Sequence, residues 1–160
     1  MNLQYNSASC FACGLENLSG LRLRFYDNGK DRVYADFTVT PQHGGYPGMA
    51  HGGIVAAILD EVAGRTMMIG NPNGFFITAR MDVRFRQPVP VGTPLAAVGW
   101  PLKRRASRLL AHAEILLDGR TVLAEADILY TGLPPNLLDP GDAQARFGWH
   151  LYAGSEERQE

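Results

Sequence analysis

The sequence predicts an α+β fold in which a curved antiparallel sheet wraps around one long helix. Three observations predict it. Apolar residues alternate singly over most of the chain, the period of a half-buried strand. Short turn signals such as Asp118-Gly119 join these runs, and short connections favour antiparallel pairing. A single stretch, from about Gly52 to about Ile69, is apolar on nearly all sides at helical period and must be widely buried.

The elements follow in order. Leu21, Leu23 and Phe25 alternate with Arg22, Arg24 and Tyr26, which reads as a strand ending in a turn at Asn28-Gly29. Val33, Ala35, Phe37 and Val39 form one face of a second strand. The loop TPQHGGYPG ends it and leads into the helix, which GNPNG (Gly70 to Gly74) stops. From Thr78, Met81, Val83 and Phe85 alternate with Arg80, Asp82, Arg84 and Arg86. Two further strands, about Leu95–Leu102 and Leu109–Leu117, flank a basic turn KRRAS. TVLAEADILYTGL is the last strand. The division is an N-terminal segment (1–20), a main domain (21–133) and a C-terminal extension of unassigned role (134–160), whose part from Ala143 either forms a short helix or drapes the surface.

With 160 residues, 46% hydrophobic and 19% charged, the chain has the size and balance of one globular domain. A net charge of -1 lacks the basic excess of a nucleic-acid binder. No basic-then-apolar leader and no run of about 18 apolar residues is present, so a cytoplasmic protein without a membrane span is expected. Cys10 and Cys13 form a C-x-x-C pair without a second pair, and His43, His51, His112 and His150 are scattered. A structural zinc site needs about four ligands, so the two thiols read as part of a turn, and no metal is expected.

Chemistry concentrates in GMAHGGIVAAILDEVAGR, Gly48 to Arg65. Glu61 has Arg65 four residues on, in the orientation that favours an ion pair. Asp60 has Gly64 there instead, and its helical neighbours Ala56, Ala57, Ala63 and Gly64 are all small. Either Arg84 or Arg86 reaches it from a strand, or it is a functional carboxylate with space around it; the spacing alone leaves both open. His51, Gly52 and Gly53 open the helix. Glycines there let a ligand approach bare N–H groups where the helix dipole favours negative charge. His51 caps the helix or shapes that site.

H-G-G with Asp nine positions after the His resembles the hotdog-fold acyl-CoA thioesterases of the phenylacetate-pathway type. CFACGLENLSGLRLRF, YPGMAHGGIVAAILDEVAGR and TARMDVRFRQPVPVG are similar to successive segments of that family, across roughly residues 10 to 131. The resemblance implies a hotdog fold and hydrolysis of an acyl- or aryl-CoA thioester to acid and CoA. It places Asp60 as general base or nucleophile, the Gly52 backbone N–H as oxyanion donor, His51 as a shaper of the site, and Thr78 as the hydroxyl that holds the carboxylate or its water. Many members carry an Asn or Gln some residues before the His; here Gly45 stands six before it, and Gln42 and His43 lie further back. The chemistry calls for no metal or organic cofactor.

Gly53 joins Gly52 as a substrate-binding position, and Arg84, Arg86, Lys103, Arg104 and Arg105 are candidate anchors for coenzyme A phosphates, or simply a solvated face and hairpin tip. Met67, Met68, Phe75 and Phe76 line an acyl pocket or belong to the core. Asp60 and Gly52 are about 12 Å apart along one helix, too far to share a thioester. A homodimer with composite sites, as a pair or as a dimer of dimers, removes that difficulty. The two competing readings are a non-catalytic acyl-CoA-binding hotdog module and a hotdog enoyl-thioester hydratase or dehydratase.

Overall fold

The computed structural model describes residues 1–134, 136–137 and 142–152. Its elements are β1 (Asn2–Leu3), β2 (Tyr26–Asp27), β3 (Val33–Thr38), α1 (Gly52–Gly64), β4 (Phe76–Phe85), β5 (Pro94–Arg105), β6 (Arg108–Leu117), β7 (Thr121–Gly132) and α2 (Ala143–Phe147). The strands form one seven-stranded sheet in the order β1-β2-β3-β5-β6-β7-β4, antiparallel throughout. This is the α+β arrangement, a sheet around one main helix, that the sequence predicts.

The helix sits on the sheet because both surfaces are shaped for it. Val55, Ile58, Leu59, Val62 and Ala63 recur at helical spacing and are buried. Below them, β6 presents Leu109, Ala111, Ala113 and Ile115, all with no exposed surface, large at the ends and small in the middle. At Gly99 of β5 the approach is closest: a Cβ there would lie 2.6 Å from the Val62 carbonyl oxygen. The wide burial expected of the helix holds on this face only, since Ile54, Ala56 and Ala57 are half exposed on the other.

Several boundaries differ from the sequence reading. Leu21 to Phe25 alternate but do not pair as a strand. Arg22 has a φ of 51°, and the Leu21 and Leu23 N–H groups donate to Phe11 and Ala12 carbonyls in the C-x-x-C turn. Leu23 and Phe25 are buried all the same. The α-helix ends at Gly64, and Arg65–Met68 tighten into a 3₁₀ turn. The basic stretch is not a turn: β5 runs through Arg105, leaving Ala106 and Ser107 to connect it to β6. The Asp118-Gly119 turn is as expected, with φ of 53° and 67° at its two central residues.

The terminal segments are built into the main body. Asn6 bridges to His150, and the Trp149 indole N–H donates to the Pro72 carbonyl at 3.0 Å. The part of the C-terminal extension from Ala143 does form a short helix, α2, among the described residues. Together these segments cover Arg65, which is 1% exposed and lies with its guanidinium 4.3 Å from the Phe25 ring centroid and 5.0 Å from that of Trp149.

Candidate active site

β4 carries a one-residue irregularity that decides where Thr78 points. Tyr130 of β7 faces Thr78, while Leu129 faces Arg80, so Ala79 has no partner. Side chains alternate across a strand, and an extra residue shifts the alternation by one. Thr78 therefore joins Met81, Val83 and Phe85 on the helix side, opposite Tyr130, Ile128, Ala126 and Ala124. Without the bulge it would face outward with Arg80, Asp82 and Arg84. Its hydroxyl donates to Asp60 Oδ1 at 2.8 Å.

Tyr130 completes this corner, and the sequence reading missed it. Its hydroxyl donates to the Asp60 backbone carbonyl at 2.6 Å, and its ring lies where a Cβ on Gly64 would come within 3.3 Å. Of the small residues beside Asp60, Gly64 makes room for the tyrosine, and open space remains next to the carboxylate. Burial, reinforced by the Asp60 charge, holds the Tyr130 hydroxyl well above its ordinary pKa, so it stays a donor. Asp60, Thr78 and Tyr130 border a cleft of about 110 Å³ that Met68, Phe75 and Phe76 also line. Met67 lies in the core instead.

The other end of the helix opens on a larger cleft of about 920 Å³, lined among others by Tyr46, His51, Gly52, Phe85, Arg86 and Gln87. His51 is the N-cap, and its Nδ1 accepts from the Gly53 N–H at 3.0 Å. The N–H of Gly53, the other glycine singled out for substrate, donates to this cap. No described residue accepts from the Gly52 N–H. A Cβ on Gly52 would rest 3.7 Å from the Phe85 ring, an ordinary contact, so packing within the chain does not demand glycine there. His43 stiffens the entrance: its carbonyl accepts from the His51 N–H, Nε2 donates to the Ser19 carbonyl, and Nδ1 accepts from Thr40, each at 3.0 Å. Gln87, Tyr46 and Phe85 were not foreseen as cleft walls, because their strand and loop pattern gives no sign of what they face.

The basic candidates separate. Arg84 and Arg86 do not reach Asp60; both pair with Glu125, at 3.6 and 2.6 Å. That contact with Arg86 holds the Glu125 carboxyl below its ordinary range against a smaller desolvation effect. Arg86 borders the large cleft, whereas Lys103, Arg104 and Arg105 border neither cleft. The register places those three at the sheet end that holds Thr78, through Arg105–Arg108, Arg108–Thr131 and Thr131–Ile77 pairs.

The Glu61–Arg65 pair forms as expected, at 3.0 Å. Desolvation beside the thiols, with the Cys13 charge adding to it and Arg65 opposing, raises the Glu61 carboxyl to about 7. Among the described residues, no helix is long and apolar enough to cross a membrane.

Comparison with known proteins identifies the family and the fold. The chain is 27% identical over 135 residues to acyl-coenzyme A thioesterase THEM4 of Rattus norvegicus, covering 83% of this chain and 57% of that one. It therefore spans little more than half the length of that relative. A crystal structure of a thioesterase superfamily protein superposes with a TM-score of 0.66 at 24% identity, over 76% of this chain and 59% of that one. A Streptococcus mutans protein bound to acetyl CoA superposes with a TM-score of 0.61 at 16% identity, over 68% of this chain and 86% of the other. At such identities the structural likeness establishes the hotdog fold alone. The family model of the thioesterase superfamily matches residues 47–132, from the loop before the helix to the end of β7 and more than half of the chain, and the chain belongs to that superfamily.

Proposed function

We propose that the chain is an acyl-CoA thioesterase whose catalytic sites form between two copies. The carrying observation is that the two halves of the machinery face different clefts. Asp60, held by Thr78, borders one, the bare Gly52 N–H borders the other, and the two share no lining residue. The edge strand β4 supplies a way to join them. Its ten residues are mostly exposed and pair on one side only, with β7. An unpaired edge is a template for a second strand. Two copies of β4 paired antiparallel about a two-fold axis near Met81 bring the Phe85–Gly52 end of one beside the Thr78–Asp60 end of the other.

In such a site the thioester carbonyl oxygen accepts from Gly52 N–H of one copy, where the helix dipole stabilises the oxyanion. Asp60 of the other copy takes a proton from water, the hydroxide adds to the carbonyl carbon, and the proton passes to the departing CoA sulfur. Alternatively the carboxylate adds directly and expels the CoA thiolate as the C–S bond breaks, and water then cleaves the mixed anhydride to acid and free carboxylate. Thr78 holds Oδ1, leaving Oδ2 to act. Met68, Phe75 and Phe76 offer an apolar wall for the acyl or aryl group. The CoA phosphates are assigned to Lys103, Arg104 and Arg105, at the same end of the sheet, and to Arg86, which borders the large cleft.

Hydrolysis of aryl- and alkyl-CoA esters, followed by thiol release, tests the reading. Release of free CoA that depends on Asp60 supports it. Binding of the esters without turnover favours a non-catalytic module instead, and hydration of an enoyl-CoA favours a hydratase.

A further inference from the structure

One residue after Asp60 on α1, Glu61 borders the same small cleft as Thr78 and meets the N-terminal turn, which brings three metal-binding side chains together. The ligand atoms of Cys10, Cys13 and Glu61 all lie within 4.8 Å of one another. We propose that Cys10, Cys13 and Glu61 bind a zinc ion, with the fourth position left to water. Zinc binding here does not require the hydrolytic reading, and Glu61 borders the small cleft beside Asp60.

The geometry is close to what zinc requires. Tetrahedral zinc with Zn–S near 2.3 Å and Zn–O near 2.0 Å sets its ligand atoms about 3.5–3.8 Å apart. From separations of 4.8 Å or less, the side chains thus need to close by no more than about 1.3 Å. Two thiolates select zinc over the hard cations that prefer all-oxygen sites. Cys13 is buried and Cys10 half-buried, so the cradle is enclosed on one side and open to water on the other.

The surroundings have the form of an outer shell. Ligating groups are normally oriented by a further layer of hydrogen bonds. Arg65 donates to Glu61 Oε1 at 3.0 Å, which aims the carboxylate and leaves Oε2 for a metal. Arg65 is itself fixed by donation to the Tyr5 carbonyl and by the Phe25 and Trp149 rings. Ser7 Oγ lies 3.7 Å from Cys13 Sγ and accepts from the Cys10 N–H at 3.0 Å. The turn admits no side chain at Gly14, where a Cβ would be 2.3 Å from the Cys10 carbonyl oxygen. Charges also close: two thiolates and one carboxylate balance a divalent ion and the Arg65 cation. Among the described residues a second convergence of donors, His112, Glu114 and Glu125, is already committed, since Arg84 and Arg86 hold Glu125 and Asp127 takes His112 Nδ1 at 2.6 Å. The sequence reading left zinc out because Glu61 lies 48 residues after Cys13, inside a helix, where it reads only as an ion-pair partner of Arg65.

The test uses the full chain, reduced and stripped of metal with a chelator. Titration with zinc against a chromogenic competitor should show one ion bound per chain, with release of thiol protons. Cobalt in place of zinc should give a thiolate-to-metal charge-transfer band and the visible spectrum of a tetrahedral ion. Cys10→Ser and Cys13→Ser should abolish the band, and Glu61→Gln should weaken zinc binding by about tenfold or more. Wild-type protein without the cobalt band, or zinc affinity unchanged by Glu61→Gln in a folded variant, overturns the site. So does isolation of the chain with Cys10 and Cys13 as a disulfide that, once reduced, takes up no zinc.

Discussion

Two inactive variants, mixed, should restore activity to each other. Asp60→Ala removes the carboxylate, and Gly52→Pro removes the N–H that would hold the oxyanion. The structure makes the second change mild for folding. Gly52 is the first helical residue, where proline is favoured, and His51 before it has φ -65° and ψ 138°, the extended conformation that a following proline requires. A Cβ at position 52 faces the Phe85 ring at ordinary contact distance. Each homodimer alone carries a lesion in both of its sites. In a mixed dimer one site carries both lesions and the other neither. Co-refolding equal amounts makes about half of the dimers mixed, each with one working site of two, so about a quarter of wild-type activity should return. The assay is thiol release from an acyl-CoA ester, with size-exclusion chromatography to verify that both variants and the mixture are folded dimers. Folded mixed dimers with no recovered activity refute the shared site, because sites complete within one chain would then each retain one lesion.

Asp60→Asn should lower kcat by about a hundredfold or more with little change in KM, while Glu61→Gln stays close to wild type; steady-state kinetics decides, and the reverse pattern identifies Glu61 as the acting acid. Thr78→Val removes the hydroxyl that holds Asp60, and the loss of one charge-assisted hydrogen bond of about 1.5–2 kcal/mol predicts a ten- to thirtyfold fall in kcat with the fold intact by circular dichroism. Glu125 supplies a pH prediction. Its carboxyl is held below the ordinary range by Arg86, so the pair contributes stability above the ordinary carboxylate pKa and loses it as pH falls through the lowered value. Thermal unfolding of Glu125→Gln should therefore lose less stability on acidification than the wild type, and identical acid limbs would count against the pair.

What was legible in the sequence depended on the range of the interaction. The period of Val55, Ile58, Leu59 and Val62, the alternation of β5 to β7 and the Asp118-Gly119 turn are local signals, and each appears where it was expected. Leu21, Leu23 and Phe25 show the limit of that method. Their alternation records burial, but their N–H partners lie in the C-x-x-C turn rather than on a neighbouring strand. At the site, Asp60 and Thr78 could be singled out from resemblance, whereas nothing in the local pattern announces the bulge at Ala79 that turns Thr78 inward. Tyr130 was missed for a similar reason: it continues the apolar alternation of β7, and its hydroxyl finds a purpose only once Gly64 lies beneath its ring. The basic residues named together as candidate anchors are separated by the fold, since Arg84 and Arg86 pair with Glu125 while Lys103 to Arg105 lie at the opposite end of the sheet.

The missing side chain at Gly99 sets a dimension of the protein that no catalytic residue controls. The Val62 carbonyl lies 2.6 Å from where a Cβ would stand, so even alanine collides with helix backbone, which has no flexible end to move aside. Lifting the helix by one methyl group would also lift Asp60, half a turn earlier, off a hydroxyl anchored in a separate strand. A side chain at position 99 therefore requires the helix to move, and with it the contacts of Asp60 with Thr78 and Tyr130. One absent Cβ thus sets the helix-to-sheet spacing and the reach of Thr78 to Asp60 together.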